Sequence, residues 1–291
     1  MTLSRSLGTH DGTFHADEVT ACALLIHFGL IDRDKIIRTR DPKRLGSCEY
    51  VCDVGGEFAP DKKRFDHHQA SYEGDKSSAG MVWEYLKNLE VVDQHAYEFL
   101  NRALILGVDA HDNGRAKVEI GICTFSHIIS QFTPIHYDAS PSVQDASFFE
   151  ALDFVCNHLK RVFERVQYTQ ECRGKVIQAM SGTEVYLLFE EAMPWMDTFF
   201  EMGGDKHPAQ FVIMPSGTHW KLRGIPPTSE DRMKVRFPLP EEWAGLLEED
   251  LKRECGIPGA IFCHKGRFIS VWETKEDAFR ALQYVLNKEK L

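Results

Sequence analysis

Asp66-His67-His68, set within Lys63-Arg64-Phe65-Asp66-His67-His68-Gln69, places three metal-grade side chains in a row directly after an aromatic residue. A second dense stretch lies near the N-terminus: Thr9-His10-Asp11-Gly12-Thr13-Phe14-His15-Ala16-Asp17-Glu18. An apolar core does not readily accept that many imidazoles and carboxylates. The fold must therefore expose them or gather them around something cationic.

The pattern between and after these clusters says where they fall. Residues 4–8, 35–38 and 49–52 read as short strands. Residues 16–28 read as a helix, with Val19, Ala23, Ile26 and Leu30 spaced for a buried face and Gly29 near its end. Residues 78–89 and 94–108 read as further helices. Alternating strands and helices predict an α/β unit with a largely parallel sheet, in which ligands collect outside the carboxyl ends of the strands. The first cluster and Asp53, before the Gly55-Gly56 turn, both fall at such ends.

Residues 131–145 carry two prolines and read as a loop or boundary. Residues 147–173 form a long helical pattern with Phe149, Leu152, Val155, Leu159, Val162 and Val166 as the apolar stripe. Beyond it the style changes. Residues 175–179, 184–189, 210–215, 219–223, 260–264 and 267–272 read as strands, and 248–254 and 275–287 as helices. The expected organisation is a catalytic domain over 1–145, a connecting helix over 146–174 and a smaller α+β domain over 175–291.

Bulk properties narrow the class. The chain has 291 residues, 43% of them hydrophobic, which is ample for a core. No apolar run is long enough to span a bilayer. The first motif begins within ten residues of Met1, so no signal peptide is expected and the cytosol is the expected compartment. Eight cysteines, none in a CxxC pair, fit free thiols in a reducing compartment. A net charge of −10 argues against a broadly basic surface that coats nucleic acid. It leaves room for cationic groups confined to a short cleft.

The clusters themselves carry chemistry. His15 and Asp17 share one side if the backbone is extended, and Asp11-Gly12 offers a turn that brings His10 to the same point. His67 and His68 are adjacent, so in an extended segment one can bind metal while the other faces substrate. Asp109, in Gly107-Val108-Asp109-Ala110-His111-Asp112-Asn113-Gly114, offers another carboxylate. Histidine and aspartate without cysteine favour Mn²⁺ or Mg²⁺, with Zn²⁺ also compatible. Six or more candidate ligands exceed what one ion needs. Two ions about 3.5–4 Å apart would use them, in the arrangement that clamps the oxygens of an in-line displacement at phosphorus. Taken singly, Asp11 reads as a turn residue and Glu18 as a first-turn helix carboxylate. His95, His127, His136 and His158 show no ligand spacing.

These segments resemble the DHH phosphoesterase superfamily, and within it the melanocyte-proliferating-gene-one (Myg) exonuclease family. Besides the two clusters, the matching stretches are Asp53-Val54-Gly55-Gly56, Ser77-Ser78-Ala79-Gly80, residues 108–114, Leu239-Pro240-Glu241-Glu242-Trp243, Gly256-Ile257-Pro258-Gly259 and Phe262-Cys263-His264-Lys265-Gly266. The resemblance implies a dinuclear, Mn²⁺-type centre. One ion would take His10, His15 and Asp53, and the other Asp17, Asp53, His67 and Asp109, with Asp53 bridging. His68 would contact the phosphate and Asp66 would orient the histidine pair. The wider superfamily has an aspartate where this chain has His15, and Asp112 competes with Asp109 for the last position.

The resemblance also implies a C-terminal domain that closes over the site and supplies phosphate-binding groups. Arg223 and His264 suit that role, with Arg236 and Lys265 as alternatives. The expected activity is 3′–5′ exonuclease action on RNA or short oligonucleotides held in a short cleft. A small-molecule phosphohydrolase and a catalytically silent metal-binding protein are the competing expectations. A homo-oligomer is compatible with the chain.

Overall fold

A computed structural model describes residues 2–117, 119–182 and 184–289. It is a mixed α/β structure with two five-stranded sheets flanked by helices. The chain divides into two compact units, Met1–Val166 and Gln167–Leu291.

The first unit runs β1 (Leu3–Thr9), α1 (Ala16–His27), β2 (Ile36–Arg38), α2 (Pro42–Leu45), β3 (Cys48–Cys52), β4 (Phe58–Ala59), β5 (Arg64–Phe65), α3 (Ser78–Asn88), α4 (Gln94–Leu100), α5 (Leu106–Asp112) and α6 (Phe125–Ser130). The sheet order is β2-β1-β3-β5-β4. The first four of these strands are mutually parallel, and β4 is an antiparallel edge. In β1 the last four residues are all buried, because helices on both faces remove the usual alternation. Gly8 lets α2 pack closely there: a Cβ would lie 2.7 Å from the tip of the Leu45 side chain, which would have to move. Helix α1 is buried from Ala16 through Leu25 and packs against α3. The core gathers Leu7, Phe14, Leu24, Trp83, Phe148 and Leu152.

The helix expected over 94–108 is interrupted. A π-helical segment, Asn101–Ile105, separates α4 from α5, and the helix continues to Asp112. Helix α7, Pro141–Met180, is longer at both ends than its apolar stripe predicts, and the division into units falls within it. Its last turns absorb residues 175–179, which read as a strand. Cys172 and Val176 are buried one turn apart, so the helical stripe outweighs the β-branched pair Val176-Ile177.

The second unit continues with β6 (Tyr186–Leu188), α8 (Met196–Glu201), β7 (Phe211–Ser216), β8 (His219–Gly224), α9 (Glu248–Cys255), β9 (Ala260–Cys263), β10 (Ile269–Trp272) and α10 (Lys275–Glu289). Its sheet order is β6-β7-β8-β10-β9, with only β6 and β7 parallel. Strand β7 is buried on both sides. Phe211 and Ile213 join a core with Trp243, Trp272 and Leu282, while Val212 and Met214 join another with Val176 and Phe199. Among the described residues no helix is long and apolar enough to cross a membrane.

Candidate metal centre

Three neighbouring parallel strands each end in candidate ligands. His10 follows β1, Asp53 follows β3 and Asp66-His67-His68 follows β5. The helix after β1 adds His15 at its N-cap and Asp17 and Glu18 in its first turn. This is the carboxyl edge where an open parallel sheet collects ligands.

Asp53 occupies the middle. Its φ is +59°, a left-handed conformation that a non-glycine residue adopts only under constraint. His10 Nε2 lies 3.3 Å from Asp53 Oδ2, and His67 Nε2 lies 3.4 Å from Asp53 Oδ1. The two carboxylate oxygens thus face two different sets of side chains. Burial pushes the Asp53 carboxyl up, but the His10 and His67 rings outweigh it and hold it at about 2.

On one side, His10, His15, Glu18 and Asp53 can place a ligand atom each around a common point. His10 Nε2 is 3.1 Å from Glu18 Oε1. His10 Nδ1 is 3.0 Å from the Asp11 carbonyl, which can only accept, so Nδ1 carries hydrogen and Nε2 faces the carboxylates. Burial pulls the His10 pKa down, yet Asp53 and Glu18 raise it to about 10. Glu18 also receives the backbone N–H of His15 at 3.0 Å, which ties the N-cap residue to the cluster.

On the other side, Asp17, His67 and Asp112 form a group, and Asp53, His67 and His68 another. His67 Nε2 lies 3.0 Å from Asp112 Oδ2 and 3.8 Å from Asp17 Oδ2. Burial pulls His67 down, but the nearness of Asp112 and Asp53 lifts it to about 11. Asp17 is fully buried and its carboxyl is raised, first by burial and then by the negative charges of Asp53 and Asp112. It accepts hydrogen bonds from the backbone N–H groups of Ser78 at 3.0 Å and Ala79 at 2.5 Å, at the start of α3.

The donor set fits a divalent cation. His67 Nε2 and Asp53 Oδ1 are both shielded from solvent, and neither has a hydrogen bond of acceptable geometry despite their closeness. Buried polar atoms left in that state call for a partner. A cation between converging nitrogen and oxygen lone pairs would satisfy both.

Both carboxylate oxygens of Asp66 accept hydrogen bonds. Its Oδ1 accepts from His68 Nδ1 at 2.8 Å and from the His68 backbone N–H at 3.1 Å, and Oδ2 accepts from Gly56 N–H at 2.6 Å. The His68 side chain is 63% exposed, with Nδ1 held by Asp66 and Nε2 free to face a ligand. A cavity of about 1060 Å³ opens over the cluster, lined by His10, His15, Asp53, Asp66, His67, His68 and Asp112. Among the described residues Arg40 is its one lining arginine or lysine, 3.5 Å from Asp11.

The sequence leaves Asp109 and Asp112 both open for the last ligand position, and the structure gives them different surroundings; Glu18 also has a neighbour that the sequence reading did not give it. Asp109 is not among the metal-capable groups. Its Oδ1 accepts from Ser77 N–H at 3.0 Å, Ser77 Oγ at 2.7 Å and Gly80 N–H at 3.1 Å. Gly80 makes this possible, since a Cβ there would lie 2.3 Å from Asp109 Oδ2. Asp109 is thus a buried anchor for the start of α3, and Asp112, one turn further along α5, faces His67. Glu18, read as a helix-dipole carboxylate, faces His10. Its place three residues after His15, as in a capping box, was the available signal.

In the second unit Arg223 lies on β8 and His264 directly after β9. Arg236 is occupied. Its guanidinium donates to the carbonyls of Pro226 at 3.1 Å, His207 at 2.8 Å, Ala209 at 3.1 Å and Gly204 at 2.5 Å, so it braces loops.

A parallel-sheet edge that gathers histidines and carboxylates, with Asp53 in the middle and the Asp-His-His triplet beside it, suits a metal-dependent phosphoesterase. A family model labelled MYG1_exonuc, described as an uncharacterised protein family (UPF0160), matches residues 6–285. The chain belongs to this MYG1 family. The MYG1 protein of Chlamydia trachomatis is 52% identical over 291 residues, covering 100% of both chains. A Homo sapiens protein named MYG1 exonuclease is 30% identical over 314 residues, covering 94% of this chain and 83% of its own. A solved structure, RecJ of Thermus thermophilus in complex with Mn²⁺, is similar at a TM-score of 0.28 and 11% identity. The match covers 98% of this chain and 52% of that protein, and a likeness that low carries no argument about the site.

Proposed function

We propose that this protein is a two-ion exonuclease that shortens RNA or short oligonucleotides from the 3′ end. The observation that supports it best is the divided carboxylate of Asp53, one oxygen toward His10 and the other toward His67. A carboxylate shared by two ligand sets is the bridge a dinuclear centre needs. His10, His15, Glu18 and Asp53 would hold one ion; Asp17, Asp53, His67 and Asp112 would hold the other. The hard donor set favours Mn²⁺, with Mg²⁺ and Zn²⁺ as alternatives. When bound, such ions supply positive charge for the phosphoryl oxygens and activate water at neutral pH.

The chain's own residues do the positioning. Asp66 fixes the orientation of the His68 ring, which lines the cavity where it would contact a substrate phosphate. Arg40 gives the cavity a cation for the same anion. We assign Arg223 and His264 to substrate phosphate in the second unit. A net charge of −10 favours contact with few nucleotides over long, tight binding. The name carried by the mammalian relatives supports the nuclease assignment. Eight free cysteines, most of them buried, fit the cytosol.

A 5′-labelled RNA oligonucleotide tests the proposal, with Mn²⁺, Mg²⁺ and Zn²⁺ compared and Asp53→Ala and His67→Ala as controls. The expected product is a ladder of one-nucleotide steps, lost in both variants. RNA left intact with every ion, alongside phosphate release from small substrates, would make the protein a small-molecule phosphohydrolase instead.

A further inference from the structure

Arg38 is a buried cation that the chemistry proposed above does not use. It is the last residue of β2, and its partner across the ladder is Thr9, directly before His10. Its side chain is 2% exposed. Taking a guanidinium out of water is costly unless close partners offset it.

Those partners come from two elements. Nη1 donates to Asp145 Oδ1 at 2.7 Å, in the first turns of α7, and Nη2 donates to the Gly12 carbonyl. The guanidinium carbon lies 4.7 Å from the Phe148 ring and 5.8 Å from the Phe14 ring, and those rings meet edge to face at 5.7 Å. Nε is shielded from solvent with no partner. An apolar side chain would fill such a slot without stranding a donor, so packing alone does not account for an arginine here. What an arginine adds is a rigid fork that reaches Asp145 and Gly12 together.

Gly12 and Phe14 both belong to the segment that joins His10 to His15. Residues 10–15 form neither strand nor helix, and Gly12 has a φ of +85°. His15 is exposed, so packing does not fix its ring, and the place of the ring follows the path of the backbone. The buried polar hold on the middle of this segment is the Arg38–Gly12 bond, because the Arg40–Asp11 pair is exposed on both sides. The hold is also one-sided. It acts between His10 and His15, and among the described residues the segments that carry His67 and Asp112 take no hydrogen bond from Arg38.

We propose that Arg38, held by Asp145, is a positioning residue for one ion of the pair: it sets the path of residues 10–15 and thereby brings His10 and His15 to a common point. The selectivity for one ion rests on the two-ion reading above; the clamp itself does not.

Calorimetric titration of Mn²⁺ into the ion-free full chain tests it. Arg38→Met keeps a stem between the rings and removes the donors; it is expected to weaken one ion roughly tenfold and the other less than about twofold. Asp145→Asn, at a side chain 45% exposed, should weaken the same ion by a smaller factor. Arg38→Lys should recover part of the loss, since an ammonium lacks the fork that spans both acceptors. Arg33→Gln is the control. Arg33 also pairs with α7, through Asp153 at 2.6 Å, and lies 4.8 Å from the Phe149 ring, away from the ligand segment, so both ions should bind it as they bind wild type. Arg38→Met should further weaken the ion that survives in Asp112→Ala and leave unaltered the ion that survives in His10→Ala. Thermal melting in EDTA checks folding, and if Arg38→Met unfolds, Asp145→Asn carries the test. Wild-type binding of both ions in the folded Arg38 and Asp145 variants overturns the proposal, as does an equal loss at both ions or the same loss in Arg33→Gln. A wild type that takes up a single ion sinks the two-ion reading instead; the clamp then stands if Arg38→Met weakens that ion and falls if it does not.

Discussion

Asp109 and Asp112 lie one turn apart on the same helix, and their substitutions should differ chiefly in ion binding. Asp109→Ala removes the acceptor of two backbone N–H groups at the start of α3, those of Ser77 and Gly80, while the Ser77 hydroxyl keeps Asp17 as acceptor. Asp109 is 4% exposed, so water does not readily replace it. Each stranded donor costs about 1–3 kcal/mol, so the loss should reach about 2–4 kcal/mol. For a unit of this size that corresponds to a fall in Tm of roughly 5–15 °C. Asp112 instead has a side chain 15% exposed and faces His67 alone among the ring nitrogens. Asp112→Ala also removes one of the negative charges crowding Asp17. The His67–Asp112 pair is largely shielded, so the ion-free protein should lose about 1–2 kcal/mol near pH 7, held down because Asp53 and Asp17 still face His67. The variant's affinity for Mn²⁺ should fall by roughly tenfold or more, as for the loss of a ligand or of its immediate support. Urea and thermal unfolding in EDTA, with calorimetric titration of Mn²⁺, measure both quantities on both variants. Unchanged melting with lost ion binding in Asp109→Ala would refute the assignment. Wild-type affinity in Asp112→Ala would do the same.

The left-handed backbone at Asp53 predicts that Asp53→Gly unfolds in EDTA about 1 kcal/mol less readily than Asp53→Ala, while both lose the ion. Equal unfolding midpoints would mean the turn is unstrained. Titration behaviour gives a further expectation. His10 and His67 sit at about 10 and about 11, above the ordinary imidazole value of 6.5. Because these values are raised by folding, the stability they lend the ion-free protein is complete below pH 6.5 and is lost as pH rises through 10 to 11. Urea midpoints in EDTA should fall across that alkaline range, and a rise there would contradict the charge arrangement. A divalent ion needs neutral imidazoles, so loading both positions near pH 8 should release about two protons. Calorimetry in buffers of different ionisation enthalpy reads that number, and release of none would refute it.

Much of the first unit was legible because its signals are local. The apolar spacing of Val19 and Ala23, the Asp-Gly turn at 11–12 and the strand-end Asp53 each announce their element within a few residues. What stayed hidden depends on distant partners. Nothing near Asp109 shows that Ser77 and Gly80 will claim its carboxylate, some thirty positions away. The π-helical segment at Asn101–Ile105 also shifts the phase of the helix, so a periodicity counted from Gln94 misplaces the residues beyond it. Glu18 stands three residues after the N-cap His15, a spacing that signals a helix start but not that the carboxylate will also face His10. The strand misread at 175–179 has the same origin, because Val176 is decided by what the helix packs against.

The ligand-bearing strands β1, β3 and β5 are consecutive in the sheet, and parallel neighbours have no hairpin to fix how they slide past one another. A slip of one residue in any of them would displace His10, Asp53 or Asp66 by about 3.3 Å and turn it to the other face. The cluster therefore works as a gauge of correct threading. A chain paired out of step could still collapse around an apolar core, but it could not bring both oxygens of Asp53 to His10 and His67 at once, and ion affinity would distinguish the two products of folding.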